Sequence, residues 1–238
     1  MKKKFSIIIP TLNEEKNIGG QLKLLRKLAP EAELIVSDGR STDNTRSIAK
    51  KLADHVVTEG ADPGRRKSIG AGRNHGARAA TTDVLVFCDA DTVPQKKFFS
   101  NMLKAFKDYP VVGYGCKVLP RDVGFMSNAI FELLNLLVFA SSVINRPTIS
   151  GNCVAYRKKA FFEVGGFDAE MQASEDQDLC IRISRKGRVV YDPHTVAWTS
   201  SRRLKQMGWL GLALDWGRTT LNFVFGRKNK RYAIVREV

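Results

Sequence analysis

Residues 84–91 form an apolar run that ends abruptly in two carboxylates, Asp89 and Asp91. Five consecutive apolar residues are typical of a strand buried on both faces, as in parallel sheets. Charged side chains at the rim of a core are costly unless a partner compensates them, and a divalent cation bound to phosphates does so. The segment therefore predicts an α/β protein with a metal and phosphate site at the carboxyl edge of its sheet. Alternatively, both carboxylates cap the turn at residues 92–94.

Short apolar runs alternate with longer polar segments, which indicates βαβ units and a mainly parallel central sheet flanked by helices. We predict strands at residues 5–10, 34–37, 55–57, 84–88, 111–114 and 189–191. We predict helices at residues 15–28, 45–52 and 73–80. Residues 60–72 contain glycine, proline and a basic run at 65–67, which predicts a mobile loop.

A single domain is expected, because 238 residues with 43% hydrophobic content can bury a substantial core and no linker or repeat is visible. The formal charge of +15 favours anionic partners. We expect no nucleic-acid partner, since the sequence has no recognition helix, finger or aromatic stacking motif. The four cysteines are widely spaced and suggest neither a zinc site nor a disulfide framework. The first apolar run is too short for a signal peptide, so we expect a cytoplasmic protein.

Two further apolar segments suggest surfaces rather than strands. Residues 125–144 predict a helix about 30 Å long, whose Ser127, Asn128, Glu132 and Asn135 argue against a membrane span. It either packs on the domain, lies at a membrane surface or contributes to a homodimer. Residues 207–225 are apolar and aromatic, and a basic run follows at 227–231. That pattern suits either a peripheral helix on an anionic membrane or a helix that closes the core.

Polar side chains follow the first two predicted strands as well. Asn13 and Glu14 come after the first strand and Asp38 after the second, so they meet Asp89 at one edge of a parallel sheet. Each could be a helix cap or turn residue. Together they fit recognition of the hydroxyls and base edge of a nucleoside.

These motifs, in order, resemble the nucleotide-sugar half of family 2 glycosyltransferases. The matching segments are residues 5–14, 37–45, 71–74 and 89–91. Downstream, residues 150–152, 165–168 and 174–179 resemble acceptor-side motifs of the same family. The ordered set spans roughly residues 5–203 and is more specific than any single motif.

The resemblance implies a GT-A fold and inverting transfer of a sugar from a nucleotide diphosphate donor. It implies a Rossmann-like nucleotide-sugar half at residues 1–115, an acceptor and catalytic half at 116–203 and a C-terminal extension at 204–238. Asp89 and Asp91 match the pair that holds Mg²⁺ or Mn²⁺ on the diphosphate, and hard oxygen ligands suit both ions. The implied donor-binding residues are Pro10, Thr11, Asn13, Glu14, Asp38, Arg73, Asp89, Ala90 and Asp91. Arg65 either supports the donor or is a solvated loop residue.

Inversion needs a base that takes the proton of the acceptor hydroxyl. By resemblance this base is Asp176, with Glu175 as the fallback, although either carboxylate could simply complement a helix N-terminus. Gly151, Asn152, Arg202 and Arg203 are the implied acceptor- or phosphate-binding residues, because paired arginines clamp phosphate well. His194 lies earlier than the family's metal-binding histidine and is expected to be a loop residue.

The acceptor is expected to be a carbohydrate or a polyprenyl-phosphate-type lipid. Two other functions fit parts of the pattern. A sugar nucleotidyltransferase shares a nucleotide-binding sheet but normally has a glycine-rich basic loop after the first strand, which residues 11–14 do not resemble. A non-catalytic nucleotide-sugar or lipid-binding module would bind donor and metal without transfer.

Overall fold

A computed structural model describes residues 2–58, 68–121, 124–143 and 146–225. Residues 60–67 of the predicted loop, including Arg65, and the basic run at 227–231 lie outside these residues. The elements in chain order are β1 (Phe5–Thr11), α1 (Glu15–Leu28), β2 (Ala32–Asp38), α2 (Thr45–Leu52), β3 (His55–Thr58), α3 (Ile69–Ala79), β4 (Val84–Cys88), β5 (Val93–Pro94), α4 (Lys96–Ala105), β6 (Val111–Pro120), α5 (Phe125–Val143), β7 (Cys153–Arg157), α6 (Lys158–Glu163), α7 (Glu175–Ser184), β8 (Arg188–Thr199) and α8 (Arg202–Val224).

The central sheet has the strand order β3-β2-β1-β4-β7-β6-β8-β5. Four of its seven pairings among the described residues are parallel: β3 with β2, β2 with β1, β1 with β4, and β6 with β8. β7 runs antiparallel to both β4 and β6, and β5 runs antiparallel to β8. Because Cys88 of β4 is opposite Cys153 of β7, the residues before β7 meet those after β4 at one edge.

Helices cover both faces of the sheet. Residues in β1 alternate between the faces, as the period of a strand requires, and Ile9 packs in the cluster that contains Leu22 of α1. Ile8 belongs to the cluster on the opposite face. Gly76 lets α3 approach β1 closely there, since an added Cβ would lie 2.5 Å from Ile8 Cγ2. This close approach brings α3 against the site edge.

Two sequence predictions differ from the structure, and helix α8, for which no bounds were predicted, has an internal break. α3 begins at Ile69, because the Ser68 hydroxyl caps it by accepting the Ala71 N–H at 3.1 Å; the predicted loop through residue 72 is therefore wrong at its C-terminal end. β8 extends to Thr199 and includes His194. α8 is broken at Gly208, where φ is 65°. Of the helices in the described residues, none combines the length and the apolar character needed to cross a membrane.

Candidate active site

A cavity of about 890 Å³ opens at the carboxyl edge of β1, β2 and β4, and we call it the central cavity. Its polar side is formed by the loops after these strands, by the residues just before β7 and by the start of α7. The predicted site residues that line it are Pro10, Thr11, Asn13, Glu14, Asp89, Ala90, Asp91, Asn152, Asp176, Arg202 and Arg203. Asp38, Arg73, Gly151 and Glu175 are not among its lining residues.

The loops after β1 and β2 are bonded to each other. Asn13, at φ 56°, donates its backbone N–H to Ser41 Oγ at 2.9 Å and accepts the Thr42 N–H at 2.9 Å. Asn and Asp tolerate this left-handed conformation better than other non-glycine residues. The bonds fix the mouth of the cavity on its polar side.

Asp38 is fully buried behind this mouth. Its carboxylate accepts the Ser41 hydroxyl at 2.6 Å and the Ser41 N–H at 3.0 Å. Asp38 therefore holds the turn after β2, as the turn-residue alternative proposed, and it does not reach the cavity surface. Two nearby hydroxyls do line the cavity: Thr11 Oγ1 and Ser37 Oγ are buried and have no hydrogen-bond partner in the described structure.

Arg73 of α3 is the buried hub that joins the two sides of the site. It is 2% exposed. Its Nη1 donates to Glu175 Oε1 at 2.9 Å, and its Nη2 donates to Asp89 Oδ1 at 2.9 Å and to the Gly151 carbonyl at 3.0 Å. Although burial opposes the charge, Asp89 and Glu175 raise the pKa of Arg73. In the described structure these contacts of Arg73 are all within the protein, and its predicted contact with the donor stays a prediction.

One arginine does not fully compensate the carboxylates around it. Burial raises the pKa of Glu175 to about 7, and the neighbouring charge of Asp176 adds to this effect while Arg73 opposes it. Burial likewise raises the pKa of Asp89 to about 6, with Arg73 opposing and Asp91 adding. Burial therefore disfavours the charged forms of both carboxylates, and additional positive charge beside them would favour their ionisation.

Asp91 is paired from the opposite wall. Arg202, the first residue of α8, donates to Asp91 Oδ2 at 2.9 Å and lies 3.4 Å from Glu14 Oε1. Burial disfavours the charge of Arg202, but Glu14 and Asp91 outweigh it and raise its pKa. Arg203 also lines the cavity, and its Nη2 contacts Asp215 of the same helix at 2.8 Å.

The segment before β7 connects Asp89 with Asp176. Asn152 donates its amide to Asp89 Oδ2 at 3.3 Å, and Gly151 donates its N–H to Asp176 Oδ2 at 2.8 Å. An added Cβ at Gly151 would lie 2.7 Å from Arg73 Nη1, which explains the need for glycine. Of the two candidate bases, Asp176 lines the cavity and Glu175 lies behind it on Arg73.

An apolar arm extends the cavity away from the carboxylates. Its lining includes Val118 of β6, Phe131, Leu134 and Val138 of α5, and Leu212 and Trp216 of α8. These residues were not predicted from the sequence to belong to the site. The apolar residues at 131, 134 and 138 recur at a spacing that indicates one apolar side of a helix. That spacing does not show whether the side packs on the core or lines a cavity.

Asp89 and Asp91 are the residues whose chemistry suits a divalent metal, because both offer carboxylate oxygens to the cavity. Within the described ranges, no group of three or more His, Cys, Asp or Glu side chains is arranged to hold a metal ion. His194 is exposed and is not among the residues lining the cavity. The two carboxylates therefore fit a metal whose other ligands come from a bound diphosphate or water.

The model of the family described as "Glycosyl transferase family 2" matches residues 6–165. The chain belongs to glycosyl transferase family 2. A member from Mycobacterium tuberculosis, a pre-mycofactocin glycosyltransferase, is 29% identical over 200 residues, which cover 79% of this chain and 41% of that protein. The succinoglycan biosynthesis protein ExoA of Rhizobium meliloti is 28% identical over 226 residues, covering 89% and 68%. The chain thus spans about two fifths of the mycobacterial relative.

The fold agrees with this family. The mannosyltransferase PcManGT from Pyrobaculum calidifontis, solved with GDP-Man and Mn²⁺, superposes with a TM-score of 0.71. The two sequences are 23% identical, and the match covers 93% of this chain and 65% of that one. The predicted family and the predicted α/β fold of GT-A type are both confirmed.

Proposed function

We propose that this family 2 member is a metal-dependent inverting glycosyltransferase that uses a nucleoside diphosphate sugar. The observation that carries the proposal is that Asp176 lines the same cavity as Asp89 and Asp91. One carboxylate is thus available to the acceptor and two to the donor. GDP-Man and Mn²⁺ in the PcManGT structure support the choice of donor and metal.

The donor lies along the polar side of the cavity. Its nucleoside contacts the loops at Asn13 and Glu14 and bonds to the unpartnered hydroxyls of Thr11 and Ser37. Asp89 and Asp91 would hold Mg²⁺ or Mn²⁺ on its diphosphate, and the ion would supply positive charge that stabilises the leaving group. Arg202 is close enough to Asp91 to donate to the same phosphates.

Asp176 acts as the general base. The acceptor oxygen attacks C1 of the sugar from the side opposite the diphosphate, the bond from C1 to the phosphate oxygen breaks, and the acceptor proton passes to Asp176. The N–H groups of Gly151 and Gln177 donate to the two Asp176 oxygens, each at 2.8 Å. These bonds orient the carboxylate toward the substrate.

The acceptor occupies the side of the cavity that continues into the apolar arm. A polyprenyl-phosphate-type acceptor fits this arrangement, since Arg202 and Arg203 line the cavity beside Leu212 and Trp216. A carbohydrate with an apolar aglycone would also fill the apolar arm, although it would offer hydroxyls rather than a phosphate to the two arginines. Competition between short-chain prenyl phosphates and soluble sugars in the transfer assay distinguishes these acceptors.

The test compares Asp176→Asn with Asp178→Asn, a control on the same helix whose carboxylate contacts Arg182. Each is assayed for nucleoside diphosphate release from UDP- and GDP-sugars with Mn²⁺. We expect Asp176→Asn to lower turnover by about 10²–10⁴-fold while donor-induced thermal stabilisation stays unchanged. Wild-type turnover in this variant would refute the assignment of the base.

The same assay separates the alternatives. A sugar nucleotidyltransferase would consume a nucleoside triphosphate and a sugar phosphate and release pyrophosphate. A non-catalytic module would be stabilised by donor and Mn²⁺ through mass action, yet it would release no nucleotide with any acceptor.

A further inference from the structure

Helices α5 and α8 expose leucines on the sides that face away from the protein. On α5, Leu133, Leu136 and Leu137 are 57–60% exposed, and on α8, Leu210, Leu214 and Leu221 are 59–75% exposed. We call these six residues the α5–α8 apolar face. Residues 133–143 contain no charged side chain at all. Exposed helix surfaces of water-soluble domains are normally polar, so this face is matched to an apolar environment.

The two helices meet over the cavity at Phe131. The Phe131 ring of α5 contacts Trp209 and Trp216 of α8 at centroid distances of 6.5 and 5.7 Å. At 100° per residue, the three exposed leucines of α5 centre about 140° around the helix from the residues that line the cavity, Phe131, Leu134 and Val138. Both helices are therefore apolar inward, toward the cavity, and apolar outward. Such helices suit a layer between a protein core and lipid.

The charges around the face select the kind of lipid. Asp215 is the sole acidic residue from 202 to 225, and it is buried against Arg203 and Arg218. Arg218 remains 56% exposed at its side chain. Basic residues also dominate the sequence that follows α8, at 227–231, and the chain carries a formal charge of +15. Two arginines share this one carboxylate, and apolar side chains beside such a net positive charge bind anionic membrane surfaces.

We propose that the α5–α8 apolar face inserts into the interface of an anionic membrane, with the two helices lying along its surface. This proposal does not require the proposed reaction, because it concerns binding in the absence of donor. The outer surface of the two helices would then contact lipid, while their inner surface lines the apolar arm. A lipid-embedded molecule would then enter the cavity without leaving the membrane.

Co-sedimentation tests the proposal, using phosphatidylcholine vesicles with and without phosphatidylglycerol. We expect the wild-type chain to pellet with the anionic vesicles and to be partly released by high salt. The double variant Leu137→Gln/Leu214→Gln should bind at least about tenfold more weakly. Tyr109→Gln removes an 85% exposed aromatic side chain elsewhere and should bind like the wild type. Circular dichroism and thermal melting establish that each variant is folded.

Three results would overturn the proposal. The wild-type chain would stay in the supernatant with anionic vesicles at low salt, or the folded double variant would bind as tightly as the wild type. As a third result, light scattering would find that the wild-type chain is a dimer and the double variant a monomer. The face would then bind a second copy of the chain.

Discussion

Replacing Arg73 by methionine will show how strongly the buried hub holds the site together. Methionine fills part of the volume of the arginine stem but leaves Asp89, Glu175 and the Gly151 carbonyl without their donor. Removing one partner of a buried ion pair typically costs about 3–5 kcal/mol, because the remaining charge is uncompensated. For a domain of this size, that loss lowers Tm by about 10 °C.

The loss should grow as pH rises. Arg73 lowers the pKa of both Asp89 and Glu175, so these pKa values increase when it is removed. In the variant, folding then favours the protonated carboxyls more strongly, and stability falls as pH rises through the raised pKa values. We therefore expect a smaller deficit near pH 5.5 than at pH 8.

Urea unfolding at both pH values measures these effects. Arg188→Met is the matched control, because Arg188 pairs with Asp108 at the surface, where both side chains are more than half exposed. Exposed pairs contribute about 0–1 kcal/mol. The reasoning is refuted if Arg73→Met and Arg188→Met lose the same stability, or if the deficit of Arg73→Met does not change with pH. In a double-mutant cycle, Arg73→Met and Glu175→Gln should be non-additive by about 0.5–3 kcal/mol.

Three further predictions follow from the same geometry. In the wild type, the raised pKa of Glu175 makes stability fall as pH rises from 4.5 to about 7. Glu175→Gln should show a smaller fall over this interval, and equal slopes in urea titrations would contradict this. Gly151→Ala should cost about 1–3 kcal/mol and lower turnover, because the new methyl group displaces Arg73; unchanged Tm and activity would contradict the close contact. Asn135→Leu should lower Tm, since the Asn135 amide exchanges two hydrogen bonds with the Val118 backbone at about 1 kcal/mol each; a Tm equal to that of Ser142→Ala would count against this role.

The helices α1 and α2 agree with their predicted bounds, and this agreement has a local cause. In α1, Ile18, Leu22 and Leu25 recur at helical spacing and are the apolar residues that the helix buries. Such periodicity can be detected from the sequence without knowledge of the structure. β7, in contrast, was not predicted. Its five residues, Cys153–Arg157, become a strand through antiparallel pairing between β4 and β6, and no local pattern specifies those partners.

The candidate site likewise contains residues whose positions could be predicted from the sequence and contacts that could not. The polar residues after β1 and β4 could be placed at one edge because parallel strands end together. The bond between Arg73 and Glu175 joins residues 102 positions apart and depends on how α7 begins. Ser174 precedes α7 at φ 64°, and this conformation accompanies the placement of Glu175 inward and Asp176 at the cavity. The sequence motif names both carboxylates but does not distinguish their directions.

α8 begins beside Asp91 and carries exposed leucines farther along, so under the two proposals donor binding and membrane binding would share one helix. A ligand that draws Arg202 away from Asp91 changes the free energy of the first turn of α8. If that change reaches Leu210 and Leu214 through the joint at Gly208, reciprocity fixes its size in both directions: the factor by which donor alters membrane affinity equals the factor by which membrane alters donor affinity. Donor binding and membrane binding would then be coupled, and each would strengthen or weaken the other by the same factor.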